Sequence, residues 1–217
     1  MEIKINPQPD SRFFIQIGAG AGDLDSRADY RDGFTEFIKS NSLLPNDKII
    51  LVEPNPLNIS TLKKCWSQYQ NTEIYELGIV PKNYSGQMLP FYYTQLDAPH
   101  FQVASFNSQH VLKHYPELTF DDLIAINIPA MDLEAFVNKS TSGQPISLLA
   151  LDIEGLDAEV LLDTNFKDMN VDFVSFEHLH LGSKKVDVLN YFEQSGFILC
   201  GNGIDHQGFD YLFKKLN

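Results

Sequence analysis

The chain predicts a doubly wound α/β fold, a mostly parallel sheet with an antiparallel last strand. Two observations carry this. Short apolar, β-branched runs alternate with helical patterns along the sequence, as in sheets built from βαβ units. The first run, Phe13-Phe14-Ile15-Gln16-Ile17, opens into glycines at alternate positions, Gly18, Gly20 and Gly22. A glycine turn at the C-terminal end of a strand is where open α/β sheets bind nucleotide-like ligands.

The glycine turn also narrows the ligand. Dinucleotide folds use G-x-G-x-x-G, with the helix N-terminus facing a pyrophosphate. Here the third glycine comes one position early and the sixth position is Asp23. An anion there repels a pyrophosphate and suits a ligand with an amino group and a sulfonium, such as S-adenosylmethionine. An ordinary tight strand–helix turn is the bland alternative.

The second strand, Lys48-Ile49-Ile50-Leu51-Val52, ends in Glu53, placed to accept hydrogen bonds from ribose hydroxyls. Pro54-Asn55-Pro56 then stops the strand. The distance from Gly22 to Glu53 exceeds the usual ~20 residues. The excess falls in 24–46, with a polar loop at 26–32 and a helix at 33–40. A second helix fits 57–69, with Leu57, Leu62 and Trp66 as apolar contacts. A third strand is expected at 73–80, with Leu77, Gly78 and Ile79 lining the adenine.

From 81 to 145 the spacing is too long for a simple βα connection. It holds a strand-like aromatic run at 87–94, a helix at 107–115, a strand-like run at 124–128 and a helix at 132–138. This region reads as an inserted cap on the substrate side, with Ser105, Asn107 and nearby aromatics reaching towards the acceptor. Decorative surface structure is the alternative. A fourth strand, 147–152, ends in Asp152, and a fifth, 171–177, ends in Glu177. Helices fit 157–162 and 184–195. Two closing runs, 196–200 and 209–213, form a hairpin across a polar turn at 201–208.

Composition bounds the function. The 217 residues suit one domain with a substantial core. A net charge of −13 argues against nucleic acid and acidic membranes as partners. Cys65 and Cys200 match no metal spacing and are too few for a disulfide framework. Met1-Glu2-Ile3-Lys4 opens no apolar signal region and no run approaches transmembrane length, so the cytosol is expected.

Three segments, Ile17-Gly18-Ala19-Gly20-Ala21-Gly22-Asp23, Val52-Glu53-Pro54-Asn55-Pro56 and Leu151-Asp152-Ile153-Glu154-Gly155-Leu156-Asp157-Ala158-Glu159-Val160-Leu161, resemble FkbM-type methyltransferases in content and order. Ile128 to Phe136 resembles the short helix before that family's fourth strand, and Ser175-Phe176-Glu177 its acidic fifth strand end. The resemblance implies a class I, Rossmann-like methyltransferase with a seven-stranded sheet and S-adenosylmethionine as cofactor. It implies O-methylation of a hydroxyl on a carbohydrate-like or secondary-metabolite acceptor. Two positions depart from the pattern: Ala150 stands where family members often carry lysine, and Gln16 where they often carry an acid.

The expected cofactor contacts are Gln16, Gly18, Ala19, Gly20, Gly22, Asp23, Glu53, Pro54, Asn55, Leu77, Gly78, Ile79 and Asp152. Alcohol methylation needs in-line positioning and a base or metal to take the hydroxyl proton. Asp152, Glu154, Glu177, His178 and His180 supply those candidates, with His178 also touching substrate. An extended chain would point His178 and His180 to the same side. Asp152 is also read as orienting the methionine end of the cofactor, and Glu154 as a helix cap. No strong metal motif is present, so no metal is expected, with Asp152, Glu177 and His178 as a weak candidate set. His110 and His114 are four apart on the expected helix, with no nearby ligand in sequence, and read as a solvated face. A non-catalytic nucleotide-binding scaffold and an NAD-dependent oxidoreductase remain as alternatives. The partner expected is a small-molecule acceptor, and the oligomeric state is left open.

Overall fold

The computed structural model describes residues 11–24, 32–41, 43–99, 101–204 and 208–216. The expected N-terminal segment, most of the polar loop at 26–32, His100 and positions 205–207 of the closing turn lie outside the described residues.

β1 (Phe13–Ile17) is buried at every position, as a central parallel strand covered on both faces must be. Its alternate side chains feed two cores. Phe13, Ile15 and Ile17 join one apolar cluster and Phe14 joins the other. α1 (Gly33–Ser40) follows, capped by Asp32, whose carboxylate accepts the Thr35 N–H. β2 (Lys48–Val52) pairs parallel with β1. α2 (Pro56–Cys65) begins at the Asn55 cap with proline in its first turn, where the missing N–H costs nothing. It is shorter than the expected 57–69. Ile59, Leu62 and Cys65 form its buried stripe, whereas Leu57 lies off that stripe and is 44 % exposed. Trp66 is buried as expected.

The expected third strand divides. β3 (Thr72–Tyr75) joins the main sheet beside β2, and β4 (Gly78–Ile79) pairs instead with a small second sheet. The hydrophobic pattern runs through both because it records burial, not the pairing partner. β5 (Met88–Tyr93), α3 (Ser108–His114) and β6 (Ile124–Met131) build the insertion, with strand order β4-β6-β5. The stretch from Ile128 to Phe136 is therefore strand to Met131 and helix only from Leu133. Ile128 and Ala130 are buried while Pro129 between them is exposed, which is a strand period.

α4 (Leu133–Thr141), β7 (Ile146–Leu151), α5 (Asp157–Asp163), β8 (Val171–Glu177), α6 (Lys185–Gln194), β9 (Phe197–Asn202) and β10 (Asp210–Lys215) complete the chain. The main sheet has seven strands in the order β3-β2-β1-β7-β8-β10-β9. β10 runs antiparallel to both neighbours, so the closing hairpin expected from sequence is present. The order reverses between β1 and β7. At such a switch point the connections leave to opposite sides and open a crevice at the C-terminal strand ends.

The insertion closes over that crevice. Its own apolar cluster contains Phe91, Tyr93, Ala104 and Ile128, with Phe101 and Phe106 packed against it. Phe106 lies against Gly78, where an added Cβ would stand 2.1 Å from the ring. The Ser105 hydroxyl donates to the Glu154 carbonyl at 2.6 Å, tying the insertion to the turn after β7.

The crevice floor depends on one close approach. Gly18 has φ +80°, and a Cβ there would stand 1.7 Å from the Asp152 carbonyl oxygen. Gly18→Ala should lower folding stability by more than about 2 kcal/mol, because left-handed strain alone costs about 1–2 kcal/mol before the clash is counted. Urea denaturation of the variant against the parent measures this.

Candidate active site

The crevice holds a cavity of about 330 Å³. The ends of β1, β2, β7 and β8 form its floor through Gly18, Gly20, Glu53, Asp152 and Glu177, and the insertion supplies Phe91, Phe101, Gln102, Ala104 and Phe106 as a wall.

Glu53 is the best-held group in it. The side chain is 4 % exposed. Its carboxylate accepts the Gly20 N–H at 2.7 Å and the Asn55 N–H at 2.9 Å, with the Asn58 amide at 3.4 Å. These donors aim the carboxylate into the cavity and leave acceptor capacity on it, since a carboxylate has about four lone-pair sites. Burial nevertheless dominates and raises its pKa to about 7. Gly20 has φ +54° and open space where a Cβ would project. Backbone is thereby exposed to a ligand there.

Among the expected cofactor contacts, Gln16, Gly18, Gly20, Glu53, Pro54, Ile79 and Asp152 line the cavity. Others serve the scaffold. Ala19 is packed in the core. Gly22 faces α2, where a Cβ would meet the Cys65 sulfur at 3.0 Å. Asp23 accepts the Asp32 N–H and pairs with Lys39 at 2.8 Å, so it closes the loop onto α1 and does not face the cavity. Asn55 caps α2. Leu77 packs against the main core and Gly78 against Phe106.

Sequence reasoning missed Asp32, which lines the cavity and accepts a hydrogen bond from the Gln16 amide at 2.9 Å. Its signal was present, an acid directly before a helix. Burial raises its carboxyl above the usual range despite the Thr35 and Gln16 donors. Asp210, Phe209 and Ile204 also line the cavity, brought there only by the closing hairpin.

Two expected substrate contacts are otherwise engaged. Ser105 is buried, and its hydroxyl bonds the Glu154 carbonyl and the Asn107 N–H. Asn107 is exposed and caps α3. The cap contributes aromatic rings, not these polar groups.

Asp152, Glu154 and Glu177 all face the cavity. Asp152 opens onto it, yet loss of hydration and then the charges of Glu154, Asp157 and Asp210 hold its carboxyl well above the usual range. Burial and neighbouring carboxylates raise Glu154 and Glu177 in the same direction. Glu154 sits at φ +48° in the turn after β7 and does not cap α5, which starts without a side-chain cap. A cleft this rich in carboxylates favours a cationic ligand.

The two histidines after β8 separate. The chain turns after Glu177, and His178 stacks on Tyr211 with ring centroids 4.1 Å apart. It is not among the residues that line the cavity, and so stands apart from Asp152 and Glu177. His180 turns the other way, with Nε2 3.6 Å from Glu177 and 4.0 Å from Glu154. It packs against His110 and His114. Burial, then the charges of those two rings and of Lys113, lower its pKa to about 4. His110, expected on a solvated face, is buried.

The family of the Methyltransferase FkbM domain matches residues 16–199. The chain belongs to this family. It is accordingly an S-adenosylmethionine-dependent methyltransferase, and the NAD-dependent and scaffold readings fall away. No curated protein matches it by sequence. Among solved structures, the human methyltransferase 10 domain containing protein is 8 % identical, with 98 % of this chain and 77 % of that one covered at a TM-score of 0.49. The precorrin-6y C5,15-methyltransferase of Geobacter metallireducens is 12 % identical, covering 95 % and 81 % at 0.43. Aeropyrum pernix fibrillarin, which holds natively bound S-adenosylmethionine, is 9 % identical, covering 94 % and 64 % at 0.42. Among the described residues no helix is long and apolar enough to cross a membrane.

The residues fit this cofactor. A buried, donor-supported carboxylate at the end of β2 suits ribose hydroxyls, the open face of Gly20 admits close approach, and Asp32 and Asp152 suit a cationic amino acid end. Glu53→Ala should weaken S-adenosylmethionine binding by about 1.5–3 kcal/mol, the range of charge-assisted hydrogen bonds, as calorimetry would measure.

The pH dependence of Glu53 has a definite sign. Its folded pKa of about 7 lies above the ordinary glutamate value, so the folded state holds the proton more tightly. Its contribution to stability is complete below the unfolded pKa and is lost as pH rises through about 7. Cofactor affinity should move oppositely, rising as the carboxylate ionises. Melting and binding curves across this window should both flatten in Glu53→Gln.

Proposed function

We propose that the enzyme methylates a hydroxyl of a small carbohydrate-like or secondary-metabolite acceptor, with Glu177 as general base. The observation that supports this most is the Glu177 carboxylate, which lines the cavity with Oε2 buried and without a hydrogen-bond partner among the described residues. A hydroxyl is a poor nucleophile until its proton is taken, and Glu177 takes it in its ionised form, which the positive charges of the bound cofactor favour against the burial and neighbouring acids that raise its pKa. Bound S-adenosylmethionine supplies an electrophilic methyl group. The protein's part is to hold the acceptor oxygen in line and receive its proton at Glu177 Oε2. Asp152, on the adjacent strand end, orients the amino acid portion of the cofactor.

The wall of Phe91, Phe101 and Phe106 supports the acceptor class. Aromatic faces cover the apolar face of a sugar-like ring, while Glu154 and Glu177 accept its hydroxyls. A strongly acidic surface argues against phosphorylated or nucleic-acid acceptors. The same wall shields the methyl group from water.

Radiolabelled methyl transfer to matched polyol, glycoside, amine and carboxylate acceptors tests the reading. Ether products are expected, and transfer confined to amines or carbon centres would overturn it. Glu177→Gln should slow single-turnover transfer by roughly 10²–10⁴-fold while leaving cofactor affinity almost unchanged. A parental rate in that variant moves the base elsewhere.

A further inference from the structure

We propose that His110, His114, His180 and Glu154 bind a divalent transition-metal ion of the zinc type, which fastens the cap to the edge of the cofactor cleft. The four side chains come from three places: α3 in the insertion, the turn after β7 and the turn after β8. His110 and His114 are one helical turn apart and share a face. Their ring centroids are 4.8 Å apart, and His180 stands 4.9 and 5.7 Å from them. One ligand nitrogen from each histidine lies within 4.8 Å of the others. Nitrogens on a tetrahedral zinc ion stand about 3.3 Å apart, from Zn–N distances of about 2.0–2.1 Å. Small side-chain rotations close that gap.

A second observation points to a cation. His110 is 6 % exposed, and its Nε2 is buried without an aligned hydrogen bond. Glu154 Oε2 nevertheless stands 2.8 Å from it and 4.0 Å from His180 Nε2. A carboxylate and an imidazole nitrogen this close need a positive centre between them. A proton serves one such contact. A metal ion serves all of them, and it resolves the crowding of three imidazoles that cannot all carry charge side by side.

The donor set decides the class of ion. Three imidazoles and one carboxylate suit zinc, and also cobalt or nickel, whereas magnesium and calcium prefer all-oxygen sets. The imidazoles coordinate in their neutral form, whereas Glu154, held towards its protonated form by burial and neighbouring carboxylates, gives its proton to solvent on binding, and no bond in any substrate changes. Glu154 alone among the four lines the cavity, so the ion stands behind the cleft wall. Its role is to lock α3, and with it the aromatic wall, against the strand ends.

The full chain, stripped with chelator and dialysed, is titrated with zinc against a chromophoric competitor. The expected result is one ion per chain and a higher melting temperature with zinc. His114→Ala and His180→Ala should each weaken binding by at least about 100-fold, the upper end of what even outer partners of a metal contribute. His178→Ala should bind as the parent does. Cobalt should give the intense visible absorption of a four- or five-coordinate ion. His114 is exposed, so its alanine variant keeps the test open if loss of His180 unfolds the chain. Absence of saturable binding overturns the proposal, as does parental affinity in His114→Ala or a six-coordinate cobalt spectrum.

Discussion

The contact between Gly18 and the Asp152 carbonyl is the constraint on which the rest of the site depends. β1 and β7 run parallel and, from Phe14 onward, in register to their ends, where Ile17 pairs with Leu151 and the Ile17 carbonyl accepts the Asp152 N–H. Only a residue without a Cβ lets the two chains leave those ends so close together. From that point the glycine loop turns towards β2, where the Gly18 and Ala19 N–H groups both reach the Val52 carbonyl. The same loop delivers the Gly20 N–H to Glu53. One steric requirement therefore places the floor, the Glu53 carboxylate and Asp152 in a single frame.

Around that frame the protein concentrates negative charge at a cost. Glu53, Asp152, Glu154, Asp157 and Glu177 are all pushed towards their neutral forms, chiefly by loss of hydration. Such a cluster serves no packing purpose, since apolar residues would fill the space more favourably. It makes sense as a receptor for a cation, and the family's cofactor carries a sulfonium and an ammonium. Binding replaces mutual repulsion by attraction, which turns a destabilised empty cleft into affinity.

The insertion completes the site by contributing shape. Its small sheet and Phe106, seated on Gly78, bring rings over the cleft, and the Ser105–Glu154 bond ties it to the turn after β7. That turn carries Glu154 in a left-handed conformation rarely adopted by residues with a side chain. The strain is held where cap, cofactor cleft and histidine cluster meet.

Much of this was legible in the order of residues. Local physics specifies β1, α1, the Asn55-Pro56 helix start, Glu53 at a strand end and the closing hairpin, because burial period, caps and glycine conformations act within a few residues. Gly18 and Glu53 could be placed from such signals alone. Asp23 could not, because its attraction to Lys39 and the Asp32 N–H depends on how α1 docks. The division of 73–80 between two sheets, the turning of His178 onto Tyr211 and the entry of Asp210 into the cleft were also decided by packing partners remote in sequence. The meeting of His180 with His110 and His114 is of the same kind. His114 and His180 stand 66 positions apart in sequence, so their meeting is a non-local contact. Spacing rules see only near neighbours, whereas a side-chain cluster is defined by where distant segments of the chain finally touch.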